Sequence, residues 1–222
     1  MKKHGPLCIL TFSDPMFGVN TYLLWTQNHT AAWVIDPGLA PVAKKVRAAV
    51  AEHRLSPQAI VLTHCHADHI AGANDLCQAF ADLQVWAPHG EAHMLTDANA
   101  NLSAPFGFDV LAPAAGRVVR PGDTLELVSL VWYALDVSGH SPGGLAFFCP
   151  EVGVVFTGDA LFAGGIGRYD FPGSSGPRLL DNIRRHLLTL PPETVVYSGH
   201  GPATTIAAER DDNPFLQEHF RP

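Results

Sequence analysis

The chain has 222 residues, 47% of them hydrophobic and 16% charged, with a net charge of −7. That size and balance suit a globular enzyme with a substantial core, read as a single domain over residues 1–222 with no internal repeat or linker. The acidic balance, with no Lys/Arg-rich run, argues against a nucleic-acid surface, and no stretch approaches the length of a membrane span.

Met1-Lys2-Lys3-His4 followed by Pro6-Leu7-Cys8-Ile9-Leu10 briefly imitates a secretory leader. The apolar run is short and Ser13-Asp14-Pro15 breaks it, so it reads as the first strand. Trp33-Val34-Ile35 is a strand ending at Asp36-Pro37-Gly38. Residues 41–55 carry apolar groups at Val42, Val46, Ala49 and Val50, a helical spacing with Pro41 at the start and Pro57 beyond the end. Residues 60–63 form a strand, 72–80 a helix, 84–87 a strand and 90–101 another helix. Residues 102–116 are the longest irregular stretch and are expected to line or cover a cleft. Gly122-Asp123-Thr124 is a turn between short strands, and segments 145–149 and 152–157 form a hairpin around Pro150-Glu151-Val152-Gly153. Leu180, Ile183, Leu187 and Leu190 share one face of a helix over 177–190, capped by Ser174 or Ser175.

The richest motif is Thr63-His64-Cys65-His66-Ala67-Asp68-His69, which follows the apolar run Ala59-Ile60-Val61-Leu62 and packs four metal-ligand side chains into six residues. On an extended backbone His64 and His66 point the same way, and a turn into helix at Asp68 swings Asp68 and His69 to a second position nearby. Pleat alternation points Cys65 the other way, into packing rather than ligation. Cys8, Cys65, Cys77 and Cys149 lack CxxC spacing and need not pair, which fits a reduced, cytoplasmic setting.

Three later strands end alike. Residues 130–137 run into Ser138-Gly139-His140, residues 152–156 into Thr157-Gly158-Asp159, and residues 194–197 into Ser198-Gly199-His200. Each of His140, Asp159 and His200 alone is a weak signal, but their shared place after separate strands is not. The seven groups divide into three nitrogens for one ion, two nitrogens and a carboxylate for another, and one carboxylate between them. His89 and His93 stand four apart on the expected helix 90–101 and its start, where they read as a partly solvated pair, since no third ligand is in reach. His4, His29, His53, His186 and His219 have no supporting context.

Together these residues resemble the metallo-β-lactamase superfamily, whose signature is His-x-His-x-Asp-His followed by His, Asp and His at later strand ends. The likeness runs from Gly18-Val19-Asn20-Thr21-Tyr22-Leu23-Leu24 to Asn213-Pro214-Phe215. It implies an α/β fold, an αβ/βα sandwich of two mixed β-sheets face to face with helices on the outer faces. It also implies that His64, His66 and His140 hold one divalent ion, that Asp68, His69 and His200 hold a second, and that Asp159 bridges them. Zinc is the first expectation for both ions, with iron or manganese as alternatives. Asp36 matches a carboxylate that accepts an N–H from a ligand histidine, against the plainer reading of a turn Asp before Pro-Gly.

Such a dinuclear site makes hydroxide available near neutral pH, bridging the metals and ready to attack a carbonyl carbon. Asp68 is the candidate to orient it as well as to ligate. Asp159-Ala160-Leu161-Phe162-Ala163-Gly164-Gly165-Ile166-Gly167-Arg168-Tyr169-Asp170, with the stretch after Ser198, is similar to the short glyoxalase II-type hydrolases. The resemblance implies hydrolysis of a small-molecule thioester of the S-lactoylglutathione kind. Arg168 and Tyr169 are the candidate substrate contacts, Arg168 through a substrate carboxylate or, equally, engaged in a structural pair with Asp170. Residues 201–222 are too few for the C-terminal helical domain with which longer glyoxalase II enzymes hold glutathione. The rival is a persulfide dioxygenase binding a single iron through His64, His140 and Asp159, since His64-Cys65-His66-Ala67-Asp68-His69-Ile70 is also close to that group. A lactonase or esterase of the same fold, and a metal-binding module without turnover, are further alternatives.

Overall fold

The computed structural model describes residues 1–217 and 220; His219 lies outside the described residues. Strands β1 (Lys2–His4), β2 (Leu7–Ser13), β3 (Asn20–Thr26) and β4 (Ala31–Ile35) form an antiparallel meander. The connections then change character. Helix α1 (Ala40–Glu52) returns the chain so that β5 (Ser56–Val61) lies parallel to β4. Helices α2 (Ala67–Ile70) and α3 (Ala73–Ala79) precede β6 (Gln84–Pro88), and β7 (Arg117–Val119) completes a seven-stranded sheet in sequence order. Parallel neighbours require such crossovers, and here they bring the C-terminal ends of β4, β5 and β6 to one edge.

The second sheet starts with β8 (Thr124–Leu127), β9 (Leu130–Asp136), β10 (Leu145–Cys149) and β11 (Val154–Gly158), all antiparallel. A small hairpin, β12 (Leu161–Phe162) with β13 (Gly165–Ile166), leaves the end of β11. Helix α4 (Gly176–Asn182) and a π-type turn (Ile183–Leu187) then lead to β14 (Val195–Ser198), which pairs parallel with β11. Short β15 (Thr204–Thr205) and helix α5 (Ile206–Asp212) follow. The sheet order is β15-β14-β11-β10-β9-β8.

Alternation along the strands sorts the apolar residues into three layers. Leu24, Trp33, Ile35, Val61, Trp132, Phe147 and Phe156 meet between the sheets. Leu23, Val34 and Ile60 face outward to Val42, Val46 and Leu76 of α1 and α3. Ala146, Val155 and Val196 face outward to Leu179, Ile183 and Leu187. The result is the expected αβ/βα sandwich of two mixed sheets. Among the described residues no helix is long and apolar enough to cross a membrane.

The expected helix over 90–101 is instead a short 3₁₀ turn, Ala92–Thr96, followed by turns. Asp97 accepts the backbone N–H groups of Asn99 and Ala100, and the buried Asn101 side chain donates to the carbonyls of Met94 and Val110. Such side-chain bonds offer the backbone an alternative to the helical ladder. His89 therefore follows β6 while His93 sits in the turn, and the two do not share a helix. The helix expected over 177–190 begins at Gly176, capped by Ser175, whose hydroxyl accepts from Arg178 N. At the start of α5 the Thr205 hydroxyl accepts from Ala208 N at 3.2 Å. Thr205→Ala should lower stability by about 1 kcal/mol, read as a lower urea midpoint with an unchanged slope.

Candidate metal centre

The strand-end loops of both sheets meet at one edge. Leu145 N donates to the Thr63 carbonyl at 2.8 Å, and Asn20 N donates to the Gly199 carbonyl at 2.6 Å, so backbone bonds stitch one sheet to the other at the site. His64 and His66 lie on the segment between β5 and α2, with His66 extended at φ −68° and ψ 151° before the helix turns. His140 follows β9, Asp159 follows β11 and His200 follows β14, so all seven predicted residues are brought together.

Two groups of three emerge, in each of which the ligand atoms lie within 4.8 Å of one another: His64 with His66 and His140, and Asp68 with His69 and His200. Asp159 stands between them. Its Oδ1 is 3.4 Å from His69 Nε2, and its Oδ2 is 3.6 Å from His140 Nε2 and 3.5 Å from His200 Nε2. Asp68 Oδ2 is 3.8 Å from His69 Nε2 and 3.5 Å from His200 Nε2.

The opposite ring nitrogens are held by the fold. His140 Nδ1 donates to the Arg168 carbonyl at 2.8 Å and His200 Nδ1 to the Phe17 carbonyl at 3.0 Å, which turns each Nε2 toward the cluster. Asp36 sits at the end of β4 with φ 47°. Its Oδ1 accepts Thr63 N at 2.8 Å; its Oδ2 accepts the Thr63 hydroxyl at 2.6 Å and pairs with His69 Nδ1 at 3.0 Å. Because Thr63 gives its proton to Asp36, its oxygen is free to accept from His64 Nδ1, 3.1 Å away. A third grouping of Asp36 with His64 and His69 is geometrically close, but both Asp36 oxygens are already occupied, which makes it an orienting carboxylate and not a ligand.

Electrostatics divides the site in the same way. Burial holds His64 well below the usual imidazole range and brings His66 down to about 3; it also lowers His140, against the pull of Asp159. These three are neutral nitrogen donors. Burial would raise Asp68 and Asp159, but His69 and His200 beside them prevail and hold both carboxyls low. Burial likewise opposes a proton on His69 and His200, and there the neighbouring carboxylates outweigh it. Buried polar atoms are normally hydrogen-bonded, yet His64 Nε2, His69 Nε2 and Asp159 Oδ1 are buried with no hydrogen-bond partner among the described residues. Three such atoms aimed into one cluster fit cations held between them, and imidazole with carboxylate is a donor set that zinc, iron and manganese accept.

Cys65 points away into the core beneath α1 and α3. Arg168 forms a two-pronged pair with Asp170, with Nε to Oδ1 and Nη2 to Oδ2 both at 2.9 Å, and its guanidinium carbon lies 4.4 Å above the Phe171 ring. Phe171 in turn stands 5.5 Å from the His66 ring and 5.8 Å from the His140 ring. Tyr169 is half-buried on the same loop. Sequence reasoning gave no role to Thr63, or to Asn20 and Tyr22, which hold the His200 loop. Asn20 Nδ2 donates to the carbonyls of Ser198 and Gly201, and the Tyr22 hydroxyl to that of Ser198 at 2.6 Å. The stretch Gly18-Val19-Asn20-Thr21 was already part of the family likeness, which was the available signal.

The family model described as "Metallo-beta-lactamase superfamily" matches residues 14–200. Among curated relatives, the "Probable metallo-hydrolase YqgX" of Bacillus subtilis is 38% identical over 89% of this chain and 92% of its own length. The "Hydroxyacylglutathione hydrolase GloC" of Haemophilus influenzae is 35% identical over 90% of this chain and 93% of its own. Among solved structures, the BLEG-1 B3 metallo-β-lactamase superposes with a TM-score of 0.89 at 32% identity, covering 95% of this chain and all of that one. TTHA1623 in a di-iron-bound form gives 0.81 at 36%, covering 93% and 100%. ETHE1 from Myxococcus xanthus gives 0.77 at 30%, covering 94% and 84%.

Proposed function

The chain belongs to the metallo-β-lactamase superfamily, and from that premise we propose that it is a dinuclear metal-dependent hydrolase of a small glutathione-type thioester. The observation that carries this reading is the second group, Asp68 with His69 and His200, set apart from the three imidazoles with the Asp159 carboxylate between. A site for one ion needs only one of these groups. The likeness to the hydroxyacylglutathione hydrolase GloC supports the substrate class.

His64, His66 and His140 would hold one divalent ion, zinc foremost, and Asp68, His69 and His200 the other. When bound, the ions supply Lewis acidity for a water nucleophile and for the substrate carbonyl. The chain's own residues supply position and proton handling. Asp36 and the carbonyls of Arg168 and Phe17 fix which nitrogen of each ring faces the cluster. Asp68 is the most solvent-open carboxylate of the cluster, 29% exposed against 11% for Asp159, and is held ionised. It can orient water entering from the cleft by accepting a hydrogen bond from it. Hydrolysis then gives a carboxylic acid and a free thiol. The protein works in a cytoplasmic setting, without a nucleic-acid or membrane partner.

The test is hydrolysis of S-lactoylglutathione, followed by loss of thioester absorbance on protein of measured metal content. Turnover with two ions per chain supports the reading, and its loss on chelation should be reversed by adding zinc. A single bound iron with O₂ uptake on glutathione persulfide would replace it with the dioxygenase alternative, which the likeness to ETHE1 keeps in view. Because the Arg168 guanidinium is engaged by Asp170, Arg168→Ala should change KM for the thioester by less than about threefold and leave kcat unaltered. A large rise in KM alone would show instead that the guanidinium leaves Asp170 for the substrate.

A further inference from the structure

Glu91 is fully buried, yet it is no part of either group of ligands. It follows β6 in Pro88-His89-Gly90-Glu91, where an exposed turn carboxylate would be the ordinary reading. Its two oxygens do different things. Oε2 accepts Cys65 N at 2.6 Å, and Oε1 accepts Gly143 N at 2.7 Å. Cys65 lies between His64 and His66, and Gly143 lies three residues after His140. One carboxylate therefore joins the backbone of the two segments that carry the three imidazoles.

One of these segments, the 140–144 loop, also packs against the chain where the Glu91 turn begins. A Cβ built on Gly143 would stand 3.0 Å from Gly90 Cα and 3.2 Å from Gly90 N, so the β6 end and the 140–144 loop touch backbone to backbone. Between the two segments that Glu91 joins, His66 Nδ1 and His140 Nε2 are 3.0 Å apart, a separation that small movements of either segment would change. A buried carboxylate costs solvation, and burial pushes the Glu91 carboxyl above its ordinary range against the hydrogen bonds from Ser141, Gly143 and Cys65. An apolar residue would avoid that cost if the position served packing alone.

We propose that Glu91 is a positioning residue that sets the distance between the His64–His66 segment and His140, and with it the geometry of the three-imidazole metal site. This rests on the metal-binding reading above. Glutamine cannot do the same work. It keeps one acceptor, but its amide NH₂ would face a second backbone N–H, leaving a buried donor unpaired.

The experiment is a zinc titration of wild-type and Glu91→Gln protein against a chromophoric chelator, with cobalt(II) substitution and thermal melting of the metal-free and metal-loaded forms. In Glu91→Gln one zinc ion should be held about ten- to a hundredfold more weakly, as for other groups that orient ligands from behind. The other ion should keep its wild-type affinity. The cobalt d–d bands of the three-imidazole site should shift, while the metal-free protein still melts cooperatively. Wild-type zinc affinities and unchanged cobalt bands would overturn the proposal, even with a lowered melting temperature, because the carboxylate would then serve folding alone. Gly143→Ala pushes the 140–144 loop off Gly90 and the Glu91 side chain, disturbing the Gly143 N bond to Glu91 with the carboxylate still present, and decides the matter if Glu91→Gln does not fold: weakened zinc at one site supports the proposal, and unchanged zinc overturns it. Wild-type protein binding one ion in total would defeat the two-ion reading, and the effect of Glu91→Gln on that one ion would still judge this proposal.

Discussion

Replacing His200 by Ala should leave a folded protein that binds one divalent ion in place of two and hydrolyses the thioester slower by a factor on the order of a hundred or more. The fold should tolerate the change because the His200 side chain is 27% exposed at the mouth of the site. The loop that carries it is held by others, through Asn20 and Tyr22 to the Ser198 carbonyl and through Asn20 N to the Gly199 carbonyl. What is lost is one nitrogen from the group with Asp68 and His69, the group that the two-ion reading requires. The other group, His64 with His66 and His140, makes no bond to His200 among the described residues and should keep its ion. Metal analysis after gel filtration, alongside thioester turnover, checks both halves. Turnover at the wild-type rate would defeat the dinuclear mechanism, and a single iron present before and after the change would favour the dioxygenase alternative.

The residues of this site were legible in the chain because each follows a strand with its own signature. His64 to His69 come after an unbroken apolar run, and His140, Asp159 and His200 each come after a small residue and a glycine. Alternation along an extended strand ties sequence spacing to direction, so that His64 and His66 can be placed on one side without knowledge of the rest. Asp36 was legible in the same way, at the end of Trp33-Val34-Ile35. Glu91, Thr63 and Asn20 were not. Their roles consist of hydrogen bonds to groups far away in sequence, such as Glu91 to Cys65 and Gly143, Thr63 to Asp36, and Asn20 to Ser198 and Gly201. Nothing in the local pattern of Pro88-His89-Gly90-Glu91 tells a buried clamp from a solvated turn. The helix expected over 90–101 failed for a related reason. Asp97 and Asn101 turn their side chains onto the backbone there, and a periodicity of apolar residues does not register that competition.

Gly199→Ala should do more damage than the loss of His200, although it removes no ligand. A methyl group at Gly199 would overlap Asp159 Oδ1 and crowd His69 Cε1 at 2.8 Å and the Gly158 carbonyl carbon at 3.1 Å. The backbone cannot draw back to make room. Gly199 N donates to the Gly158 carbonyl at 2.7 Å, and its own carbonyl accepts Asn20 N at 2.6 Å, so it is fixed to both sheets. The Asp159 side chain must move instead, and it is the carboxylate that approaches His69, His140 and His200 together. Displacing it by about an ångström disturbs both groups of ligands, and misplacement on that scale costs on the order of a hundredfold in rate. The expected result is therefore weakened binding of both ions, where His200→Ala weakens one, with turnover lost to at least the same extent. Parallel zinc titrations of the two variants check this. If Gly199→Ala kept both ions at wild-type affinity, Asp159 could not be shared between the two groups, and the site would be two separate binding places on one sheet edge.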